Sequence, residues 1–323
     1  MNQSTEEFQN SPLGIGGIRV HSPGTVANLV CGFDILGLAL NEPYDVMDLK
    51  LIGEPKVIIR NRDNFNLPTE AEKNVAGVVL LSVMEQMKNK IGFEIEIEKR
   101  IKPGSGIGSS AASAAGAAVA ANHLLGNIFS ADEIVQFAMN GEKLASGVKH
   151  ADNIAPCILG GVSLIRAIHP LDIISIPSPD LYVTIVHPQI EVRTSDARQI
   201  LKQQVLLKDA IKQWGNIAGL VTGFIKGDLD LIGRSLEDVI IEPVRSILIP
   251  GFDEVKSKCK EAGALGGGIS GSGPSIFMLS KEHKTAQDVE IVMKDVYNKI
   301  GIDYNTYVTT INKNGVTVIN DSN

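Results

Sequence analysis

The spacing of apolar and polar residues predicts a chain in which strands and helices follow one another in short units. Apolar residues occupy alternate positions in "YDVMDLKLIG", "PKVIIRN" and "FEIEIEKRI", as they do in half-buried strands. "EKNVAGVVLLSVMEQMKNKIG" has apolar residues at helical spacing, and Gly92 is its predicted C-terminal cap. A second helix is predicted over "SADEIVQFAMNGEKLAS", because Ser130 and Glu133 form a capping-box pattern. This mixture predicts an α+β protein.

The sequence pattern changes after "GGVSLIRAIHPLDIISIPSPD". The prolines and serine near residues 177–179 indicate a connecting segment between two parts of the chain. Strands are predicted in "LYVTIVHP", "GGISGSGPSIFMLS" and "YVTTIN". The helices predicted in this half cover residues 195–213, 215–226, 228–240 and 252–262. We therefore predict a loose N-terminal arm at residues 1–17, an N-terminal domain at 18–169 and a C-terminal domain at 170–323.

Composition excludes several classes of protein. The formal net charge of −7 argues against a nucleic-acid binder, which needs a basic surface to displace counterions. Cys31, Cys157 and Cys259 lie far apart, which argues against a disulfide scaffold or thiolate zinc site and indicates a reducing compartment. "MNQSTEEFQNSPLG" lacks the basic and apolar regions of a signal peptide, and polar residues interrupt the alanine-rich run. We expect a cytoplasmic protein with no nucleic-acid or membrane partner.

The stretch "PGSGIGSSAASAAGAA", from Pro103 to Ala118, places a glycine-rich loop between a predicted strand and a helix of small residues. A helix N-terminus carries unpaired N–H groups and a partial positive charge, so it is a natural anion site. Ser109 and Ser110 add hydroxyl groups for a phosphate or a metal ion. The loop is not a Walker A sequence, because no lysine follows its last glycine. From composition alone, a flexible turn before a tightly packed helix is the alternative.

The order of residues in this loop is more specific than its glycine content. "PGSGIGSSAA" resembles the phosphate loop of the GHMP kinases, named for galactokinase, homoserine kinase, mevalonate kinase and phosphomevalonate kinase. "SPGTVANLVCGFDILGLAL" at 22–40 and "GGGISGSGPSIFML" at 266–279 resemble the N-terminal and C-terminal motifs of that family, in the same order. The resemblance implies that the loop binds ATP. The implied ATP-binding residues are Pro103, Gly104, Ser105, Gly106, Ile107, Gly108, Ser109, Ser110, Ala111 and Ala112.

The resemblance also implies a fold that periodicity cannot show. GHMP kinases have two α+β domains with the active site in the cleft between them. The N-terminal domain has a left-handed βαβ crossover beside the phosphate loop, whereas right-handed crossovers are the general rule. The C-terminal domain is ferredoxin-like, and its motif, with Gly271 and Gly273, is expected to pack against the phosphate loop. A homodimer is implied as well.

Two stretches indicate which acceptor the kinase would use. "ANLVCGFD" is similar to the homoserine kinase branch of the family, in which "ANLGPGFD" is usual, so Val30 and Cys31 replace Gly-Pro. "GEKLASGVKHADNIAPCILGGV" is similar to the same branch. The resemblance implies that Asn28, Asp34 and His150 contact L-homoserine, with Asp34 pairing its ammonium group. From residue types alone, a turn asparagine, a capping aspartate and a structural histidine remain the alternatives.

The remaining predicted site residues follow from the same resemblance. Ser110 and Glu142 are implied to bind Mg²⁺, and such a cation prefers oxygen ligands. "RTSDAR" and "IIEPVRSILIPGF" imply that Arg198 and Arg245 hold the substrate carboxylate, since a guanidinium matches a carboxylate bidentately. Thr194 is expected near the reacting hydroxyl. Solvated helix faces are the alternative for the two arginines.

Taken together, these resemblances imply ATP-dependent phosphorylation of the L-homoserine hydroxyl to O-phospho-L-homoserine, a step of threonine biosynthesis. Ser110, Glu142 and Thr194 are the predicted catalytic residues. Two alternatives stay open at this point. A mevalonate- or sugar-type kinase would have no use for an ammonium partner, and a sensor with the same fold would bind ligand without turnover.

Overall fold

The computed structural model describes residues 17–88, 90–192 and 194–319, so the predicted N-terminal arm lies outside the described residues apart from Gly17. The strands are β1 (Ile18–Ala27), β2 (Leu36–Ile52), β3 (Val57–Asn61), β4 (Gly92–Glu98), β5 (Val162–Ile168), β6 (Leu171–Ile176), β7 (Tyr182–Pro188), β8 (Gly266–Ile269), β9 (Ile276–Ser280), β10 (Tyr304–Thr310) and β11 (Thr317–Ile319). The α-helices are α1 (Val75–Gln86), α2 (Ser109–Leu124), α3 (Ala131–Ser146), α4 (Ile154–Leu159), α5 (Thr194–Gln199), α6 (Leu207–Lys226), α7 (Leu229–Ser235), α8 (Glu242–Arg245), α9 (Phe252–Glu261) and α10 (His283–Ile300).

The N-terminal half of the chain forms a sheet in the order β11-β1-β2-β4-β3, to which β5 and β6 are added beside β2. The long strand β2 joins these parts, because Met47 opposes Ile97 of β4 near one end and Leu36 opposes Leu164 of β5 at the other. The hairpin of β5 and β6 spans residue 170, the predicted domain boundary, which stays a prediction.

Strands β3 and β4 are parallel neighbours joined through α1, and all other strand pairs within the described residues are antiparallel. A parallel pair needs such a crossover connection. The predicted left-handed crossover concerns this unit, and its handedness stays a prediction.

Helix α2 lies directly on the sheet because its side chains are small. Its twelve buried residues out of sixteen leave it with almost no polar face, unlike an ordinary surface helix. At Gly116 a Cβ atom would come within 2.7 Å of the Met47 Sδ atom of β2. The alanine-rich segment is therefore a closely packed internal helix, and its N-terminus is fixed by that packing.

The second sheet has the order β10-β7-β9-β8 and is antiparallel throughout. The order of its strands along the chain is β7, β8, β9 and β10, and α9 and α10 provide the two helical connections of a ferredoxin-like domain. The hairpin of β8 and β9 carries the C-terminal glycine motif. The predicted two-domain α+β fold is confirmed.

Three local predictions are wrong. Helix α1 ends at Gln86 with Met87 as its cap residue, and Gly92 instead begins β4, where a Cβ atom would meet the Glu54 carbonyl oxygen at 1.9 Å. The helices predicted over 195–213 and 215–226 are instead the short α5 and a single uninterrupted α6. Gly215 lies in the middle of α6, at a position where a Cβ atom would meet no other atom within 4 Å. The helix predicted over 228–240 ends at Ser235 as α7.

The prediction of an N-terminal capping box is confirmed. Ser130 and Glu133 form the capping box at the start of α3. All three cysteines are buried and unpaired. Among the described helices, none is both long enough and apolar enough to cross a bilayer.

Candidate active site

A cavity of about 350 Å³ opens between the two domains. Its walls come from the phosphate loop, α3, the turn that follows β1, α5, α8 and the turn between β8 and β9. The predicted residues that line it together are Asn28, Asp34, Pro103, Gly104, Gly106, Gly108, Ser109, Ser110, Glu142, His150, Arg198 and Arg245. Ser105, Ile107, Ala111 and Ala112 are buried behind this surface. Thr194 begins α5, but its side chain lies outside the described part of the structure.

The phosphate loop reaches α2 through three glycines in the left-handed region. Gly104, Gly106 and Gly108 have φ values of 75°, 80° and 67°, which glycine adopts without steric cost. Gly108 directly precedes the helix, and no side chain caps it. The first N–H groups of α2 are therefore left without a side-chain acceptor at the cavity wall, which suits an anion.

The C-terminal glycine motif holds this loop in place. The Ser270 Oγ donates to the Gly106 carbonyl at 2.7 Å, and the Ser275 Oγ donates to the Ser105 carbonyl at 2.6 Å. A Cβ atom at Gly106 would lie 2.7 Å from the carbonyl oxygens of Ser270 and Gly273. The predicted packing of the two motifs is confirmed, and it fixes the position of the loop.

The side chains of the two predicted metal ligands, Ser110 and Glu142, are in contact beside the start of α2. The Ser110 hydroxyl donates to Glu142 Oε2 at 2.8 Å. Glu142 comes from α3 and is only 8% exposed, so burial raises the pKa of its carboxyl group while the Ser110 hydrogen bond lowers it. A buried carboxylate beside a hydroxyl offers a hard cation two oxygen ligands next to the phosphate loop.

Lys99 is a residue that the sequence analysis missed. It forms a buried ion pair with Asp45, and its Nζ also donates to the Ser109 carbonyl at 2.7 Å and the Ser113 hydroxyl at 3.0 Å. Since an ammonium group has three protons, all of them have protein acceptors. Lys99 therefore fixes the first turn of α2. The position of Lys99 just before the loop was the available signal. The sequence alone, however, does not distinguish a buried lysine at this position from an exposed one.

The acceptor side begins with a strained turn. Asn28, Val30 and Asp34 have positive φ values of 72°, 67° and 62°. Asparagine and aspartate tolerate this conformation, but it costs energy for β-branched Val30, which replaces the glycine usual in the resembled motif. The Asn28 side chain accepts from the Asp34 N–H at 3.0 Å and donates to the Gly271 carbonyl at 2.8 Å. Asn28 thus orients Asp34, and its predicted contact with substrate stays a prediction.

Asp34 and Arg198 are joined to each other in this structure. The Arg198 Nη2 donates to Asp34 Oδ1 at 2.8 Å, and Nη1 donates to Oδ2 at 3.1 Å. The His150 Nε2 lies 3.1 Å from the same Nη2 and accepts from it when the imidazole is neutral with its proton on Nδ1. Burial lowers the pKa of His150, which favours that neutral form. The three predicted substrate residues therefore form one connected group.

Arg245 lies behind this group and is 3% exposed. Its Nε donates to the Ala197 carbonyl at 2.9 Å and its Nη1 to the Gly271 carbonyl at 3.3 Å. Burial, together with the charge of Arg198, lowers the pKa of Arg245 to about 10, so Arg245 remains a cation at neutral pH. The Phe33 ring lies 4.8 Å from the Arg245 guanidinium carbon and 5.3 Å from that of Arg198. The two guanidinium groups beside this ring bring positive charge together, which favours the binding of an anion.

Asp152 and Asn153 also line the cavity and were missed as site residues. Burial, together with the charges of Asp34 and Glu142, raises the pKa of Asp152 to about 7. The Asn153 Oδ1 accepts from the Thr25 hydroxyl at 2.6 Å. Both residues follow His150 closely in "HADNIAP", which was the available signal.

Asn61 and Asn74 hold a loop segment that borders the cavity. The Asn61 amide donates to the Leu67 carbonyl and the Asn74 amide donates to the Pro68 carbonyl, both at 2.7 Å. Leu67, Pro68 and Asn74 line the cavity.

Comparison with known proteins gives a consistent result. The model of the GHMP kinase N-terminal domain matches residues 74–161, and the model of the GHMP kinase C-terminal domain matches residues 220–299. A homoserine kinase of Chloroherpeton thalassium is 46% identical over 292 residues, which cover 86% of this chain and 92% of that protein. A homoserine kinase of Methanococcus maripaludis is 42% identical, covering 87% of this chain and 93% of the relative.

Solved structures agree with these sequence relatives. The crystal structure of a homoserine kinase from Cytophaga hutchinsonii superimposes with a TM-score of 0.91 at 47% identity, covering 96% of this chain and 99% of that one. An L. major mevalonate kinase crystallised with R-mevalonate has a TM-score of 0.68 at 18% identity, covering 90% and 94% of the two chains, and supports the fold alone. The chain belongs to the GHMP kinase family and, within it, groups with the homoserine kinases.

Proposed function

We propose that this chain is a homoserine kinase, which transfers the γ-phosphoryl group of ATP to the hydroxyl of L-homoserine and forms O-phospho-L-homoserine, a precursor of threonine. The observation that carries this proposal is one cavity that joins an anion-binding loop to a set of amino-acid partners. The similarity to homoserine kinases over most of the chain supports the same conclusion. A mevalonate-type acceptor has no ammonium group, so Asp34 would lack a partner.

The acceptor side orients the amino acid by its two charges. Asp34 receives the ammonium group, while Arg198 and Arg245 receive the carboxylate. Arg245 is held by the Ala197 and Gly271 carbonyls, which leaves its Nη2 group for a ligand. A substrate fixed at both charged ends points its side-chain hydroxyl toward the phosphate loop, and such orientation supplies much of the rate enhancement of transfer reactions.

The phosphate side holds ATP with backbone groups. The N-terminus of α2 and the loop residues from Pro103 to Gly108 face the triphosphate, since phosphates bind where N–H groups and a helix dipole point at them. Ser110 and Glu142 are the residues that would hold Mg²⁺, because their oxygens are adjacent and Glu142 is buried. A bound Mg²⁺ would neutralise charge on the phosphate oxygens.

The transfer itself needs little covalent help from the protein. The substrate oxygen forms a bond to the γ-phosphorus as the bond to the bridging oxygen of ADP breaks, and positioning with charge neutralisation dominates the catalysis. We assign no general base. Asp34 is committed to the ammonium group, and a phosphate oxygen is an available acceptor for the hydroxyl proton.

The direct test measures ADP release from MgATP with L-homoserine, D-homoserine, L-serine, mevalonate and galactose. Selective turnover of L-homoserine is the expected result, because L-homoserine presents both charges and a hydroxyl at the required distance. Turnover of mevalonate or galactose would contradict the assignments of Asp34, His150, Arg198 and Arg245. Nucleotide binding without any turnover would favour a sensor.

The protein also presents a surface suited to a second copy of itself, and we propose that it is a homodimer. Leu207, Ile211, Trp214 and Ile225 form an outer stripe on α6 and are 56–67% exposed. Val205 and Leu206 before the helix, which are 50% and 63% exposed, extend this apolar stripe, and a contiguous exposed apolar patch is typical of a protein–protein interface. The cytoplasmic location stays a prediction from cysteine usage.

Light scattering during size exclusion tests the dimer. Trp214→Glu should give a monomer, whereas Ile291→Glu should not, because Ile291 is equally exposed but lies on α10. A monomeric wild type, or a Trp214→Glu variant that stays dimeric, would contradict the proposed interface.

A further inference from the structure

The acceptor site contains its own pair of opposite charges. Asp34 and Arg198, which the proposed function assigns to the ammonium and carboxylate of the substrate, bind each other through three contacts of 2.8–3.1 Å. The two residues are 164 positions apart, on the turn after β1 and on α5. A zwitterionic amino acid presents the complementary charges to this pair, an ammonium group for Asp34 and a carboxylate for Arg198.

This ion pair is only partly exposed to solvent. The side chains of Asp34 and Arg198 are 30% and 34% exposed, and that of His150 beside them is 16% exposed. Charges in such a setting are screened less than surface charges, so separating the pair without replacing both partners is unfavourable. The positive charge of Arg245 nearby adds to the cost of removing Asp34 from Arg198.

We propose that the Asp34–Arg198 pair is an exchange pair that selects for zwitterions, an inference that rests on the proposed function. A ligand with both charges replaces each residue's partner as it separates them. A ligand with one charge satisfies one residue and leaves the other unpaired in the cavity. The pair therefore rejects alcohols that carry only a carboxylate or only an ammonium group, in addition to any contact such a ligand fails to make.

The surroundings of Arg198 allow this exchange to remain local. Its contact with the His150 Nε2 and its position over the Phe33 ring do not involve Asp34. Asp34 likewise keeps its backbone N–H bond to the Asn28 side chain. Each residue is thus held by further contacts when the ion pair opens, and only the charged ends change partners.

The test is a calorimetric binding matrix at 0.15 M salt, with L-homoserine, 4-hydroxybutyrate and 3-amino-1-propanol as ligands. In the wild type, both singly charged ligands should bind at least about 100-fold more weakly than L-homoserine. Asp34→Asn frees Arg198, so 4-hydroxybutyrate should gain at least about tenfold in affinity while L-homoserine loses affinity. Arg198→Met should give the converse gain for 3-amino-1-propanol alone.

The matched control is Asp48→Asn, because Asp48 also accepts from two arginines, Arg19 and Arg62, but lies on the sheet outside the cavity. This control should bind all three ligands as the wild type does. Thermal melting of each variant establishes that it is folded. A gain below about threefold in both site variants, the scale of removing one screened charge, would overturn the exchange pair. Failure of L-homoserine to bind the wild type would instead overturn the proposed function.

Discussion

The two sides of the cleft are built in different ways. The phosphate side consists of backbone groups from one continuous loop, held by hydroxyls of the C-terminal motif. The acceptor side consists of side chains from separate segments, and its charged groups are paired with one another. A backbone site is already formed before its ligand arrives. A site made of paired side chains has to exchange partners, and this exchange can discriminate between ligands.

The largest expected effect comes from the fixed side. Gly106→Ala places a Cβ atom against the carbonyl oxygens of Ser270 and Gly273, so the loop must move away from the second domain. We expect kcat/KM for ATP to fall by about 100-fold or more, because small displacements of a positioned group have effects of that size. The matched control is Gly104→Ala, whose φ is also positive but whose Cβ would meet no atom within 4 Å. Equal losses in both variants would show that conformational strain alone is responsible.

The proposed metal ligands should give the next largest effect. Glu142→Gln removes the carboxylate charge but keeps the size of the side chain, so about 10- to 100-fold more Mg²⁺ should be required for half-maximal activity. A Mg²⁺ titration of the initial rate measures this. Glu133→Gln on the same helix is exposed and belongs to the capping box, so it should leave the titration unchanged. An unchanged titration for Glu142→Gln would exclude it from the metal site.

On the acceptor side, Arg245→Ala should raise KM for L-homoserine by about tenfold or more, since a charged hydrogen bond is worth about 1.5–3 kcal/mol. KM for ATP should change much less. Initial rates with each substrate varied in turn measure both constants, and Arg234→Ala on α7 is the exposed-arginine control. Equal changes in both KM values would contradict a specific contact with the acceptor.

The smallest effect concerns stability outside the cleft. Burial, together with the charge of Lys102, lowers the pKa of His187 to about 4. Between pH 4 and the unperturbed value near 6.5, the unfolded chain binds a proton that the native protein does not, so stability rises with pH over that range. Acidification from pH 7 to pH 5 should cost about 1–2 kcal/mol through this residue.

Urea unfolding of the wild type and of His187→Gln at both pH values measures this cost. The pH-dependent loss should be smaller in the variant by that amount. His169→Gln, at an exposed histidine, should leave the loss unchanged. A loss that is the same in wild type and His187→Gln would contradict the assignment.

The difference between the phosphate side and the acceptor side also determines how much of each could be predicted from the sequence. The phosphate loop is contiguous, so its residues, the helix behind it and its packing against the glycine motif follow from short motifs. The pairing of Asp34 with Arg198 depends on residues 164 positions apart, and Lys99 is linked to Asp45 over 54 positions. Periodicity carries no information about such partners. It also misplaced the end of α1 and the start of α6, because boundaries depend on packing against the rest of the fold.

A crystal structure with L-homoserine and a non-hydrolysable ATP analogue tests the central claim most directly. We expect the bonds from Ser270 to Gly106 and from Ser275 to Ser105 to be unchanged. Asp34 should contact the ammonium group, and Arg198 and Arg245 should contact the carboxylate, with the Asp34–Arg198 pair separated. An intact pair with L-homoserine bound elsewhere in the cavity would contradict this description of the acceptor side.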